Sequence, residues 1–519
     1  MAEKWNGRPG GRITHRRFLR VLSAAGIALT GMLDCESNSR TRVSASSGGL
    51  GQARAYRTRP DLRPPAIKVN VTSPETSPGY IFVAPKKEPG GRAPSQDAPL
   101  IVDGSGEPIW FLPLRDSEED AFNFEVQTYK GEPVLTWWVG QHGRFGQGEY
   151  VLADRSYNEI TRVRAGNGYE GDHHEFLITP QDTALLTIYN AVPMDLSSLG
   201  GPVAGRVIEG IAQEVNIETG EVLFEWHSLD HVGVEESYFR PSPDLKSGFD
   251  YFHINSIDPH PDGYLTISAR RTSAVYKVDR ATGEVVWRLG GKESDFEMGE
   301  GTRTAFQHDA RRHPDNTITI FDNAAASRYV QSRAIAVEVD EDAMKATLVG
   351  EYTHPGKILA NTQGNTHFLP DGKVLVGWGS EPYFSEFSHD GELLFDASFP
   401  LEVESYRAFR FSWKGEPQAT PAVVAVSGDG DEVEVYVSWN GATEVATWQV
   451  LAGSGPDELK PVASVPRKGF ETAVALQTSE PYVAVRAKDG SGKELATSRA
   501  VKPQDQASAP RDRKLAWRP

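Results

Sequence analysis

The sequence predicts an all-β protein, a six-bladed β-propeller followed by a C-terminal β-sandwich of immunoglobulin or fibronectin type. Three observations carry this prediction. Glycine and proline are frequent, with 50 and 34 copies among 519 residues, and they separate short runs of strand-forming residues. Two kinds of hairpin turn recur along most of the chain. After Gly415 this repeat gives way to a compact series of about seven short strands.

The first recurring turn joins two apolar strands through Pro-Asp-Gly or a related sequence. It begins at Lys130, Pro180, Pro261, Pro314 and Pro370. The spacing is close to 50 residues except where residues 228–250 form an inserted loop. A second turn, such as Thr282-Gly283-Glu284, lies between successive copies of the first. Two hairpins per repeat give four strands, which is the unit of a propeller blade.

Five such units lie between residues 120 and 410, and residues 406–413 begin a sixth. The strands that this sixth unit lacks are available near the chain start, at 79–84, 99–103 and 109–112. Pairing the two ends would remove exposed strand edges, which favours closure. We therefore predict six blades within residues 61–415, with seven as the alternative.

The remaining segments have other compositions. Residues 416–502 are predicted to form the sandwich, a module for dimerisation, surface attachment or carbohydrate contact. Residues 503–519, rich in Lys, Arg, Gln and Pro, are predicted to be a disordered tail. The sequence leaves homodimerisation open.

Residues 1–60 are predicted to be an export signal and flexible leader. They contain 11 Lys and Arg residues against three acidic residues, and the apolar run 21–33 is too short to span a membrane. Arg16-Arg17-Phe18-Leu19 resembles a twin-arginine signal, although His15 replaces the first arginine of the usual pattern. We expect a periplasmic, cell-surface or extracellular protein.

Cys35 follows the apolar run and precedes a Ser/Gly-rich stretch, as the lipid-bearing cysteine of a lipoprotein does. Asp34 stands where lipoprotein processing requires a small residue. Both a membrane tether at the N-terminus and an incidental cysteine in a cleaved leader therefore remain open. Because Cys35 is the only cysteine, the chain forms no intrachain disulfide and no cysteine-ligated zinc or iron–sulfur cluster.

The net charge of −17 opposes general binding to nucleic acid or to an anionic membrane. The candidate site is instead a set of histidines. In a propeller the first strand of every blade lines the central channel, so residues at equivalent positions converge. Four histidines lie three to eight residues before successive turns of the first kind, namely His174, His253, His308 and His367.

Arg270, Asn255 and Asn365 lie near these histidines in the repeats, and Arg271 follows Arg270. A guanidinium offers a fork of donors to oxyanions, and a neutral imidazole acts as nucleophile, base or acid near pH 7. The sequence therefore predicts a site for an anion that is held and attacked.

Several motifs within residues 65–410 resemble the PAPS-independent arylsulfotransferases. The most specific are His253-Ile254-Asn255-Ser256-Ile257 and Ser268-Ala269-Arg270-Arg271-Thr272-Ser273-Ala274-Val275. Phe306-Gln307-His308 and Trp378-Gly379-Ser380-Glu381-Pro382-Tyr383 add to the resemblance. The single cysteine departs from it, because periplasmic members have a disulfide that this chain cannot form.

The resemblance implies a six-bladed propeller that carries a covalent sulfohistidine. It implies His308 as the sulfated nucleophile, His253 and Asn255 as the His-x-Asn site, and Arg270 as the ligand of the sulfuryl oxygens. His174 matches the upstream histidine of the family. His367, Asn365 and Arg271 are predicted to bind substrate, His367 on its position in the repeat alone.

The implied reaction is a ping-pong transfer of a sulfuryl group from an aryl sulfate to a phenol, an activity of EC 2.8.2 type. It requires neither metal nor nucleotide nor another cofactor, and its partners are small molecules. Two other functions fit the histidines. Four inward histidines also hold iron in propeller oxygenases, and a propeller can serve as a binding or scaffold module without catalysis.

Overall fold

The computed structural model describes residues 53–505 except 89, 115–118, 144 and 326–330, together with the backbone of Val43–Ala45. The export signal, Cys35 and residues 506–519 of the expected tail lie outside the described residues. Within them the protein is nearly all-β, as predicted. Its helices are one α-helical turn, Ser228–His231, and two 3-10 turns, Ser197–Leu199 and Val234–Glu236. The described residues hold no helix with the length and apolarity to cross a membrane.

Six sheets of four or five strands occupy residues 68–411. In spatial order, sheet 1 contains Val403–Phe411, Tyr80–Lys87, Leu100–Val102 and Pro108–Phe111. Sheet 2 contains Asp120–Tyr129, Glu132–Gln141, Gln147–Ala153 and Glu159–Val163. Sheet 3 contains Phe176–Ile178, Thr183–Met194, Gly205–Asn216 and Val222–His227, with Phe249–Asp250 pairing parallel to Gly205–Asn216.

The next three sheets repeat this arrangement. Sheet 4 contains Ile254–Pro259, Tyr264–Ala269, Ala274–Asp279 and Val285–Gly290. Sheet 5 contains His308–Arg312, Thr317–Asp322, Arg333–Asp340, Lys345–Tyr352 and Glu297–Met298. Sheet 6 contains Asn365–Phe368, Val374–Gly377, Tyr383–Phe387, Leu393–Ser398 and Lys68–Val71.

Sheet 1 joins the two ends of this region. Val403–Phe411 pairs antiparallel with Tyr80–Lys87, the pairing expected from the incomplete sixth repeat. The strand written first in each sheet contacts the first or second strand of the preceding sheet, and this succession of contacts returns from sheet 6 to sheet 1. First strands of neighbouring sheets contact one another, except that Ile254–Pro259 of sheet 4 contacts Thr183–Met194, the second strand of sheet 3.

Two further sheets follow. Sheet 7 contains Val43–Ala45, Glu471–Gln477, Glu432–Ser438, Ala422–Ser427 and Gln504–Asp505. Sheet 8 contains Leu459–Pro466, Thr447–Gly453, Tyr482–Lys488 and Glu494–Thr497. Alternate residues of both sheets, such as Val435 and Val450, are buried in one hydrophobic core.

Two predicted boundaries differ from the structure. Residues 53–60 were expected in the flexible leader, but Tyr56 is buried against Phe470 with ring centroids 4.4 Å apart. Thr58 donates hydrogen bonds from its backbone nitrogen and its hydroxyl to Glu471. These contacts fix the segment to sheet 7. At the other end, Gln504–Asp505 pairs with Ala422–Ser427 although it was assigned to the tail.

Candidate functional site

His308 begins the first strand of sheet 5 and is 1% exposed. Its Nδ1 lies 2.7 Å from Oδ1 of Asn323. The Asn323 amide can face only one way, because its Nδ2 donates to the carbonyl oxygens of Ala360 and Gln363 at 3.0 and 2.9 Å. Its oxygen is therefore the atom that meets His308, so Nδ1 carries the proton. This leaves the lone pair on Nε2, which accepts the backbone N–H of Gln363 at 3.3 Å.

Burial lowers the pKa of His308 well below its usual range, and the charge of Arg270 lowers it further. The Asn323 hydrogen bond opposes these effects, and the charges of His174 and His253 add to them. His308 is therefore a neutral imidazole at neutral pH. The same interactions show that the four side chains lie within electrostatic reach of one another.

His174 and His253 each bind a buried carboxylate through Nδ1. His253 Nδ1 lies 2.6 Å from Oδ2 of Asp250, and His174 Nδ1 contacts Oδ1 of Asp172. The centroids of the two rings are 5.1 Å apart. Burial lowers the pKa of His253 to about 4 although Asp250 raises it. A carboxylate on Nδ1 fixes the ring and favours its protonated form when a proton arrives at Nε2.

Arg270 is the cation of the site. It is 9% exposed and has no carboxylate within 4.0 Å among the described residues. Its Nη2 donates to the carbonyl oxygen of Asn361 at 2.9 Å, while Nε is buried and has no hydrogen-bond partner in the described part of the chain. Burial lowers its pKa to about 10, so the side chain remains charged at neutral pH. A buried guanidinium with free donors and no counter-ion favours binding of an anion.

Asn255 joins two elements of the site. Its Nδ2 donates to the carbonyl oxygen of Gln307 at 2.7 Å, so it fixes the residue that precedes His308. Its Oδ1 is buried and has no partner among the described residues. One of the two amide N–H groups is thus committed to the backbone, and the amide holds the sheet 4 and sheet 5 strands together.

The residues expected to bind substrate lie in different places. Arg271 pairs with Asp250 at 3.3 Å and borders the site. The structure does not bring His367 or Asn365 to the group. His367 Nδ1 accepts the backbone N–H of Arg410, and the Asn365 amide bonds both the N–H and the carbonyl of Ala408. From their position in the repeat, His367 and Asn365 were expected on inner strands beside the site. Their polar atoms instead join sheet 6 to sheet 1.

A buried ionic network lies directly beneath the site. Arg407 contacts Glu175 at 2.9 Å and Asp309 at 3.3 Å, and Arg311 contacts both carboxylates. Glu175 and Asp309 follow His174 and His308 in the sequence. Burial raises the pKa of Glu125, beside this network, to about 8. The network fixes the strand that begins at His308 and the turn that contains His174.

The local backbone is held in a conformation that non-glycine residues avoid. His253, Phe306, Asp309 and Gln363 have φ between 55° and 67°. Residues of this kind persist where the surrounding structure fixes them, and they concentrate at functional sites. Here they lie at or beside the start of the inner strands, where the chain turns to present its side chains.

Sequence reasoning missed Asn323, Asp250 and Asp172. Asp250 and Asp172 lie within three residues of a predicted histidine, so a search for carboxylates near each histidine could have found them. Asn323 lies 15 residues after His308, at the end of the next strand. Only the hairpin of sheet 5 brings it to the ring.

The arylsulfotransferase (ASST) family model matches residues 125–400, which contain every residue of the site. The chain belongs to the arylsulfotransferase family. A search of curated proteins found no match. Family membership supports a sulfotransferase enzyme that acts on aryl compounds.

Solved structures give distant matches. A protein of unknown function from Bacteroides caccae is 13% identical, with 64% of this chain and 98% of that chain covered and a TM-score of 0.40. A catalytically inactive virginiamycin B lyase from Staphylococcus aureus is 8% identical, with 70% and 97% covered and a TM-score of 0.30. No conclusion about this chain rests on these neighbours.

Proposed function

We propose that this arylsulfotransferase moves a sulfuryl group from an aryl sulfate to a phenol through a covalent sulfate on Nε2 of His308, without the nucleotide donor PAPS. One observation carries the proposal. A buried neutral histidine, with its lone pair directed by Asn323, lies beside a buried arginine that has no counter-ion among the described residues. This combination provides a nucleophile together with a site for the anion that it attacks.

In the first half-reaction Nε2 of His308 releases the long 3.3 Å hydrogen bond from the Gln363 N–H, and its lone pair forms a bond to sulfur. The sulfur–oxygen bond to the aryl group breaks. The electron pair of that bond leaves with the phenolate oxygen. Arg270 stabilises the charge on the sulfuryl oxygens. When the anionic donor binds, His253 takes up a proton from solvent at Nε2, because the anion and Asp250 both favour its imidazolium form. It then gives this proton to the leaving oxygen.

In the second half-reaction a phenol enters and gives its proton to Nε2 of His253, which restores the proton that His253 lost in the first. Its oxygen attacks sulfur, and the nitrogen–sulfur bond breaks to restore neutral His308. Throughout, Nδ1 of His308 keeps its proton and donates a hydrogen bond to Oδ1 of Asn323. The sulfated ring is therefore positively charged, which keeps the sulfuryl group transferable.

The succession of six sheets and the two-sheet unit with a common core support the six-bladed propeller and the sandwich predicted from the sequence. In this arrangement the site occupies one end of the central channel, and the network around Arg407 fills the channel behind it. Substrates then enter and leave through a single opening.

An iron site is the second candidate, because Asp172, His173 and His174 offer ligand atoms within 4.8 Å of one another. Both oxygens of Asp172 already have partners, because they accept hydrogen bonds from the backbone N–H groups of Gly146 and His174. The charge of Arg270 also acts on His253 and His308, and a cation beside them would be repelled.

Intact-mass spectrometry tests the proposal. Protein exposed briefly to p-nitrophenyl sulfate without acceptor should gain the mass of one sulfuryl group, located on His308, and lose it when a phenol is added. His308→Ala should gain none, and chelation should change neither result. A transfer activity lost on chelation, or no adduct on His308, would refute the proposal.

A further inference from the structure

The inserted loop 228–250 places an aromatic side chain at the outer edge of the site. Phe239 is 42% exposed, which is unusual for so large an apolar side chain. Its ring centroid lies 5.2 Å from that of Phe306, and the guanidinium of Arg271 lies 4.0 Å from its centroid. Phe306 is two residues from His308, so the loop extends the site outward from the nucleophile.

The loop is bound firmly to the neighbouring sheet. The backbone N–H of Tyr238 donates to the carbonyl oxygen of Arg271 at 2.9 Å. Glu236 accepts a hydrogen bond from Arg288 at 3.2 Å, and Lys292 donates to the carbonyl oxygen of Glu235 at 2.8 Å. Phe239 is thus held in place before any ligand arrives, and stacking on it requires little further ordering.

The aromatic surface is continuous with the anion site. Arg270 lies 5.3 Å from the centroid of Phe306. An aryl sulfate with its sulfuryl group between Arg270 and His308 therefore has its first ring beside Phe306. A second fused ring is the part of the substrate that reaches Phe239.

We propose that Phe239 is a specificity-determining residue that selects extended, planar aryl sulfates and phenols over single-ring ones. This inference rests on the proposed function and assigns its substrate class. Its physical basis is the burial of a flat apolar ring of the substrate against Phe239 and Phe306, since aromatic pairs form offset or edge contacts.

Competing donors give the test. We would measure kcat/KM for methylumbelliferyl sulfate, which has two fused rings, and for p-nitrophenyl sulfate in the wild type, Phe239→Ala and Tyr238→Ala. Comparing the ratio of the two values between each variant and the wild type removes the difference between the leaving groups. Tyr238 is the matched control, because it is exposed on the same loop and its ring contacts Lys292.

Phe239→Ala should lower the ratio of kcat/KM for methylumbelliferyl sulfate to kcat/KM for p-nitrophenyl sulfate about fivefold, the effect of losing one aromatic pair. Tyr238→Ala should leave this ratio unchanged. An unchanged ratio in Phe239→Ala, whether kcat/KM stays the same or falls equally for both donors, would overturn the inference.

Binding without turnover separates this inference from the proposed function. In the His308→Ala background, methylumbelliferyl sulfate is titrated by its fluorescence, and adding Phe239→Ala should weaken Kd by a similar factor. If the wild type transfers sulfate but neither the ratio nor Kd responds to Phe239→Ala, the inference alone is wrong. If Kd responds but no sulfohistidine forms, the proposed mechanism is wrong and the aryl-binding role of Phe239 is supported.

Discussion

The Nδ1–H group of His308 donates a hydrogen bond to Oδ1 of Asn323, and the two heavy atoms are 2.7 Å apart. Because two backbone carbonyls hold the other end of the amide, Asn323 presents an oxygen and no donor to the ring. The acceptor is neutral, so it fixes the tautomer without the strong stabilisation of imidazolium that a carboxylate gives. His308 thus differs from His174 and His253, which both bind aspartates.

The pH dependence of sulfation should follow the lowered pKa of His308. Burial and Arg270 disfavour its protonated form, so the ring stays neutral as the pH falls through its usual value of about 6.5. We expect kcat/KM for p-nitrophenyl sulfate, whose leaving phenolate needs no protonation, to fall only well below that pH. A half-maximal rate near pH 6.5 that moves in Asn323→Asp would contradict this.

Replacing Asn323 by aspartate should shift the acidic limb of the pH profile, the range in which kcat/KM falls as the pH decreases. A carboxylate on Nδ1 stabilises the imidazolium, which raises the pKa of His308 and reduces the neutral fraction at low pH. The limb of the kcat/KM profile for p-nitrophenyl sulfate should therefore shift to higher pH in Asn323→Asp. Asn316→Asp, far from the ring and beside Arg312, is the control and should leave the profile unchanged. An acidic limb that does not shift would show that Asn323 does not control the protonation state of His308.

Removing the guanidinium of Arg270 should slow the chemical step. Loss of one preorganised donor to a developing oxyanion typically lowers kcat by about 10²–10³-fold, and we expect Arg270→Met to fall in this range. Arg270→Lys should retain more activity, because it keeps the charge but loses the planar fork. Arg164→Met, with its side chain 78% exposed, is the control. The rate of formation of sulfated His308 measures the effect, and a loss confined to KM would argue against this role.

Breaking the ionic network should destabilise the whole propeller region. Arg407→Met removes one of the two arginines whose charge balances the buried carboxylates of Glu175 and Asp309. Leaving a buried charge without its partner typically lowers the free energy of unfolding by about 3–5 kcal/mol. We expect a clear decrease of the urea midpoint with unchanged slope. Lys130→Met removes an exposed ion pair and should leave the midpoint unchanged. A normal midpoint in Arg407→Met would show that the network does not stabilise the fold.

The sequence alone predicted the all-β composition, the pairing of the chain ends and the arylsulfotransferase family. These follow from local patterns: turn residues, alternating strands and short motifs such as His253-Ile254-Asn255 are visible without knowledge of distant contacts. The same patterns selected His308, His253, His174 and Arg270, which the structure places within electrostatic reach of one another.

Only the tertiary structure decided which polar atoms remain available. His367 shares the repeat position of the other histidines, yet a backbone N–H of the neighbouring sheet occupies its Nδ1. Asn323 has no motif, yet the sheet 5 hairpin brings it to His308. Phe239 belongs to an insertion outside the repeat, and packing against Phe306 gives it a place at the site. A repeat fixes the strand on which a residue lies, whereas its hydrogen-bond partners come from other strands and loops that the local pattern does not specify.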